Sequence, residues 1–149
     1  MTKEEALIRS IVGPARCEVR TFACAVNITR HLLFCENLAQ DDILVTKHIY
    51  PEVAARTGKS CAAVSRQIER MENLCWEHLG AEGQLTYIGR QLKDIRSPSD
   101  MLFYLAYYCH FNMPYYEVLR EKPELLFGSA AKEISDVRTS QAFRAKASD

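Results

Sequence analysis

The stretch that decides the fold runs Pro51-Glu-Val-Ala-Ala-Arg-Thr-Gly58-Lys-Ser60-Cys-Ala-Ala-Val64-Ser65-Arg66-Gln67-Ile68-Glu-Arg70-Met71. Its skeleton is Ala54, three residues, Gly58, five residues, Val64, three residues, Ile68, which is the spacing of a helix-turn-helix. Two short helices crossing over a tight turn bring their backbones close, so the contact point on the first must be small, and Ala54 is. The turn needs a positive backbone dihedral, which Gly58 supplies without a Cβ clash. Ser60 is placed to cap the second helix, and Val64, Ile68, Met71 and Cys75 then fall on the one face that locks it to a core. With that face buried, Ala62, Ala63, Arg66, Glu69, Arg70 and Asn73 point outward or along the flanks, and Gln67 lies at the border.

A helix so presented suits the major groove of double-stranded DNA. Ala62 and Ala63 let its first turn approach the groove floor, and Ser65 belongs to the same candidate set. Arg66 then forks onto guanine or binds phosphate, Gln67 reads adenine if it turns outward, and Arg70 lies one turn on, near phosphate reach. The amides opening the helix, with Ser60 and Lys59, form a phosphate anchor. The rival at this spacing is a helical hairpin whose arginines are merely solvated.

Charge favours the first reading modestly. Nineteen basic and nineteen acidic residues cancel over the whole chain. Between 43 and 70, however, five basic residues (Lys47, Arg56, Lys59, Arg66, Arg70) stand against two acidic ones (Glu52, Glu69), and that excess coincides with the motif.

Working outward, glycine and proline are sparse and apolar residues recur at three and four, which predicts an all-α domain: a compact bundle of about six helices containing the helix-turn-helix. One helix is expected over Glu4–Val12, broken at Gly13-Pro14. Another runs from Glu18 to about Leu38, with Val19, Phe22, Ala23, Val26 and Leu33 on one stripe and Cys24, Ile28, Leu32 and Cys35 on a second, so it lies inside the domain. A third is expected over Asp41–Ile49, stopped near Tyr50-Pro51. Ser97-Pro98-Ser99-Asp100 reads as a helix start, with serine capping, and the helix extends to about His110. Seven of the fourteen aromatics crowd into 103–116. They are either core or, on the helix 98–116, a self-association surface for a homodimer or for tandem copies on DNA.

The 149 residues suit one domain, here 1–122, followed by a polar, alanine-rich tail, 123–149, that is either a loosely docked helix or disordered. No run approaches the roughly 18 to 20 apolar residues that cross a bilayer, and the start lacks a signal-peptide profile, so a soluble, cytoplasmic protein with no membrane partner is expected. Six cysteines without a Cys-x-x-Cys pair read as buried hydrophobes in a reducing compartment, with no metal. His31, His48, His78 and His110 are scattered, and neither a nucleophile and base at motif spacing nor a glycine-rich phosphate loop is found, so neither an enzyme nor a cofactor is expected.

The run Val45-Thr-Lys-His-Ile-Tyr50-Pro-Glu-Val-Ala-Ala55, followed by Val64-x-Arg66-x-Ile68 and Trp76, resembles the C-terminal effector domain of the sporulation response regulator, stage zero sporulation protein A. The similarity reaches upstream to Ile8-x-x-Ile11-Val-Gly13-Pro14-Ala15 and downstream through Ser97-Pro98-Ser99, covering about residues 7 to 112. It implies a six-helix, bacterial transcription factor whose second motif helix, about 60–78, enters the major groove, commonly with neighbouring copies on repeated sites. Arg66 matches a family position in the recognition helix, while Lys47 and Ser60 fall in segments near the phosphates. Ala63, Ser65, Glu69 and Arg70 depart from the family pattern, so its target sequence does not carry over. Nor is phosphorylation control implied, since the family's receiver module has no counterpart in this sequence. The alternative function is a helical protein–protein interaction module that kept this fold and lost DNA binding.

Overall fold

The computed structural model describes residues 1–14, 18–95 and 97–127. Among them are seven α-helices and no strand: α1 (Lys3–Val12), α2 (Val19–Phe34), α3 (Tyr50–Thr57), α4 (Cys61–Gly83), α5 (Asp100–Phe111), α6 (Tyr115–Glu121) and α7 (Glu124–Phe127). The all-α bundle is therefore as expected, with one helix more. No helix among the described residues is long and apolar enough to cross a membrane.

Local chemistry accounts for most helix ends. Thr2 caps α1 by accepting the Glu5 amide at 3.1 Å, and Glu4 and Glu5 sit in the first turn, where the helix dipole favours negative charge. Helix α2 is shorter than its apolar pattern suggests. It ends at Phe34, Cys35 is exposed, and Asn37 takes a positive φ of 57° that turns the chain away. Its first stripe is buried throughout, whereas on the second only Ile28 is; Cys24 and Leu32 are half-buried.

The expected helix over Asp41–Ile49 is not continuous and does not stop at Pro51. A 3-10 turn over Gln40–Asp42 is followed by a wide π turn over Val45–Ile49, which runs directly into α3. Pro51 stands in the first turn of α3, where its missing amide costs nothing, and the Tyr50 amide donates five residues back to the Val45 carbonyl. At the start of α5 the serine cap is likewise absent. Ser99 is itself helical in backbone and makes no capping bond; instead the amides of Asp100, Met101 and Leu102 donate to the carbonyls of Ser97, Pro98 and Ser99.

Helix α2 packs against α1, α3, α4 and α5, and α5 lies across from it. Every residue of α5 from Met101 to Tyr107 is buried, so the aromatic crowd is chiefly core. Tyr107 and Tyr115 form a tilted pair with ring centroids 4.7 Å apart, and Phe34 meets Tyr107 edge-on at 5.5 Å. Only Tyr108, Phe111 and Tyr116 keep partial exposure for any contact between copies. Helix α7 packs on the turn at Gln40–Asp42, so the folded body continues past 122; the remainder of the expected tail lies outside the described residues. Of the described cysteines, Cys75 and Cys109 are buried as expected, whereas Cys24 is half-buried and Cys35 and Cys61 are exposed, and no group of acids, histidines or cysteines among the described residues is placed to hold a metal ion.

Candidate nucleic-acid interface

The turn between α3 and α4 has the geometry its residues dictate. Gly58 adopts φ 69° and ψ 23°, and its amide closes α3 by donating to the Ala54 carbonyl at 2.9 Å. A Cβ at Gly58 would meet nothing within 4 Å, so the demand for glycine here comes from the backbone dihedral and not from crowding. Ser60 is extended, and its hydroxyl accepts the Ala63 amide at 3.1 Å. From Cys61 the helix runs regularly as far as Leu79, because Gly80, at φ 61° and ψ −173°, is not helical.

Val64, Ile68, Met71 and Cys75 are all fully buried. At 100° per residue their common direction leaves Ala62, Arg66 and Asn73 opposite, and all three are exposed. Arg66 makes no ion pair or hydrogen bond among the described residues and stands at the middle of the outward face. Lys47 is exposed on the π turn that precedes α3. These two keep the freedom that a polyanion contact requires.

Other members of the candidate set are already engaged. The Lys59 ammonium donates to Thr21 Oγ1 of α2 and to Gln67 Oε1, both at 2.7 Å. Gln67 is therefore turned toward α2 and away from the outward face, and Lys59 is half-buried beside it. Arg70 is exposed, but its guanidinium reaches Glu18 at 3.2 Å. Ala63 is half-buried. Ser65 is also half-buried, on the opposite flank, where it and Ser99 act to lower the Tyr50 hydroxyl pKa. Burial, reinforced by Glu72 and Glu69, nevertheless pushes the Tyr50 hydroxyl up to about 12. Thus Arg66, Ala62 and Ser60 share the outward start of α4, whereas Gln67 and Ser65 do not join them.

Two features escaped the sequence reading. In the sequence Arg56 is one of the five basic residues of 43–70 and nothing more. It is exposed on α3, donates to Glu52 at 3.1 Å and to Asn27 of α2 at 3.3 Å, and lies within the same helix-turn-helix. Glu72 carried no signal beyond its place in the helical period, 80° round from Val64 and hence at the edge of the buried face. It is fully buried, and neither carboxylate oxygen has a hydrogen-bond partner among the described residues. Desolvation, with Glu69 and Asp100 adding negative charge nearby, pushes its carboxyl up to about 8, so it is held protonated at neutral pH.

Comparison with protein-family models, with curated proteins and with solved structures yields no match to the chain.

Proposed function

We propose that this chain is a sequence-specific DNA-binding transcriptional regulator that inserts the start of α4 into the major groove of double-stranded DNA. The observation that carries the reading is Arg66, exposed and unpaired on the face directly opposite four fully buried side chains. A helix anchored on one side and bearing a free guanidinium on the other, with Ala62 a turn earlier to allow close approach, is built to present that guanidinium to something outside the fold. The Gly58 turn, the Ser60 cap and the resemblance of residues 45–76 to the sporulation regulator's effector domain support the same reading.

In this mechanism Arg66 forks onto a base or phosphate while the free amides at the start of α4 face the backbone. Lys59 and Arg70 contribute only by exchanging Thr21, Gln67 and Glu18 for phosphate oxygens. The Arg70–Glu18 ion pair is open to solvent and contributes about 0 to 1 kcal/mol, so its exchange is accessible. No catalytic step, cofactor or metal takes part. Selection from a random duplex library at moderate salt is expected to enrich one motif, with log affinity falling against log salt at a slope near −4 for about four or five phosphate contacts. Arg66→Ala is expected to cost about 1 to 3 kcal/mol of binding and to relax base preference, whereas Lys59→Ala weakens all sequences alike. If neither substitution changes binding, α4 is not the reading helix.

One observation favours the second reading, a protein interaction module on the same scaffold. Lys59, Gln67 and Arg70 are each held by partners within the chain, and Glu69 is exposed on the flank of the outward face. That reading predicts no enriched motif and little dependence on salt.

A further inference from the structure

A cavity of about 570 Å³ lies well apart in sequence from the α3–α4 turn, between the Gln40–Asp42 turn, the segment before α5, and helices α5, α6 and α7. Its walls carry three carboxylates, Asp41, Asp94 and Asp100, and three tyrosines, Tyr104, Tyr115 and Tyr116. No lysine, arginine or histidine lines it among the described residues. The volume is in the range of small-molecule sites.

Its chemistry selects the sign of charge. An anion meets three carboxylates, whereas a cation meets carboxylates, hydroxyl oxygens and the negative faces of aromatic rings. The tyrosines form a continuous wall, with centroids 4.9 Å apart from Tyr104 to Tyr115 and 5.1 Å from Tyr115 to Tyr116. One of these rings already holds a cation: the Arg90 guanidinium lies 4.2 Å over the centre of Tyr116. Behind the wall, Tyr107 is fully buried and packs against Tyr115, and its hydroxyl has no hydrogen-bond partner among the described residues.

The carboxylates do not converge. Among the described residues no group of three acids, histidines or cysteines is placed to hold a metal ion. Asp41 and Asp94 come from separate segments and are exposed at the rim, while Leu92 and Leu119 supply apolar surface between the polar groups. A compact ion cannot satisfy separated carboxylates, but an extended molecule with a charge at each end and methylenes between can. We propose that this cavity binds an extended organic cation, a linear aliphatic polyamine, with its ammonium groups on Asp41 and Asp94 and its stem along the tyrosine wall. This assignment does not depend on DNA binding by α4.

Calorimetric titration of the full chain with spermidine in 0.15 M salt, with spermidine as the probe, tests it. One saturable site is expected. Asp41→Asn combined with Asp94→Asn should weaken it about ten-fold. Both positions are at the surface, so melting without ligand should be unchanged, and this is checked by circular dichroism. Tyr116→Leu, which keeps the carboxylates and removes one ring face, should also weaken binding. Tetramethylammonium, which has no N–H donor, should bind more weakly than spermidine. Three results would overturn the proposal: no saturable heat, equal affinity in the wild type and the double asparagine variant, or magnesium chloride reproducing the spermidine heat. So would binding that emerges only when the chain is cut after Phe127, because the occupant would then be the protein's own C-terminal segment.

Discussion

Helices α4 and α5 are both rich in apolar residues, yet they stand in opposite relations to the rest of the chain. Helix α4 buries Val64, Ile68, Met71 and Cys75 and leaves Ala62, Arg66 and Asn73 in solvent; α5 buries seven consecutive residues, Met101 to Tyr107, on all sides. A one-sided helix has a face to offer a partner, whereas a helix buried all round has spent its surface on the core. The comparison explains why the aromatic segment, for all its tyrosines, has little left for contacts between copies. It also assigns each helix a different vulnerability: substitutions in α5 should act on stability, and substitutions on the outer face of α4 on binding.

The largest effect is expected inside α5. Leu105 is fully buried, so Leu105→Ala should cost about 2 to 5 kcal/mol, read from urea or thermal unfolding. A loss below about 1 kcal/mol would mean that α5 is looser than its burial implies.

Glu72 tests the boundary between the two faces of α4 through pH. Its folded pKa, about 8, is raised above the ordinary 4.5 of a glutamate, so the folded state holds the proton more tightly than the unfolded chain. The resulting stabilisation is complete below about pH 4.5 and is lost as pH rises toward about 8, at roughly 1 kcal/mol per pH unit. Glu72→Gln keeps the shape and removes the titration, so its stability should decline less than the wild type's between pH 5 and 8. Parallel pH profiles for the two proteins would show that the Glu72 carboxyl is not buried as described.

A smaller loss is expected at the turn. Gly58→Val forces a β-branched residue to φ 69° in open space, at a cost of about 1 to 3 kcal/mol from backbone strain alone. Gly58→Asn should melt between the two, because asparagine tolerates this region. Smallest of all, Arg66→Ala should leave stability within about 0.5 kcal/mol of wild type while changing DNA affinity. If unfolding shows a larger loss, Arg66 has a partner inside the fold and α4 is not one-sided.

The features legible in the sequence were those that depend on near neighbours. Gly58, Ser60 and the four buried positions of α4 follow from spacing and side-chain size within some twenty residues. The reading went astray where a different local solution met the same demand. Pro51 stops nothing, because a π turn delivers it to the first turn of a helix, and Ser99 does not cap, because a 3-10 turn supplies carbonyls to the amides instead. Glu72 was invisible because a helical period places a residue at an edge without saying whether the neighbouring element covers that edge.

By itself, then, the sequence determined an all-helical chain, the position and handedness of the turn between α3 and α4, and which side of α4 goes inward, since periodicity, dihedral preference and capping act over one or two turns. Only the tertiary structure decided which polar residues remain available. Lys59 meets Thr21 across 38 residues and Arg70 meets Glu18 across 52, while Arg66 makes no hydrogen bond or ion pair among the described residues. Whether a charge is engaged or free depends on which distant segment packs beside it, and no local rule carries that information.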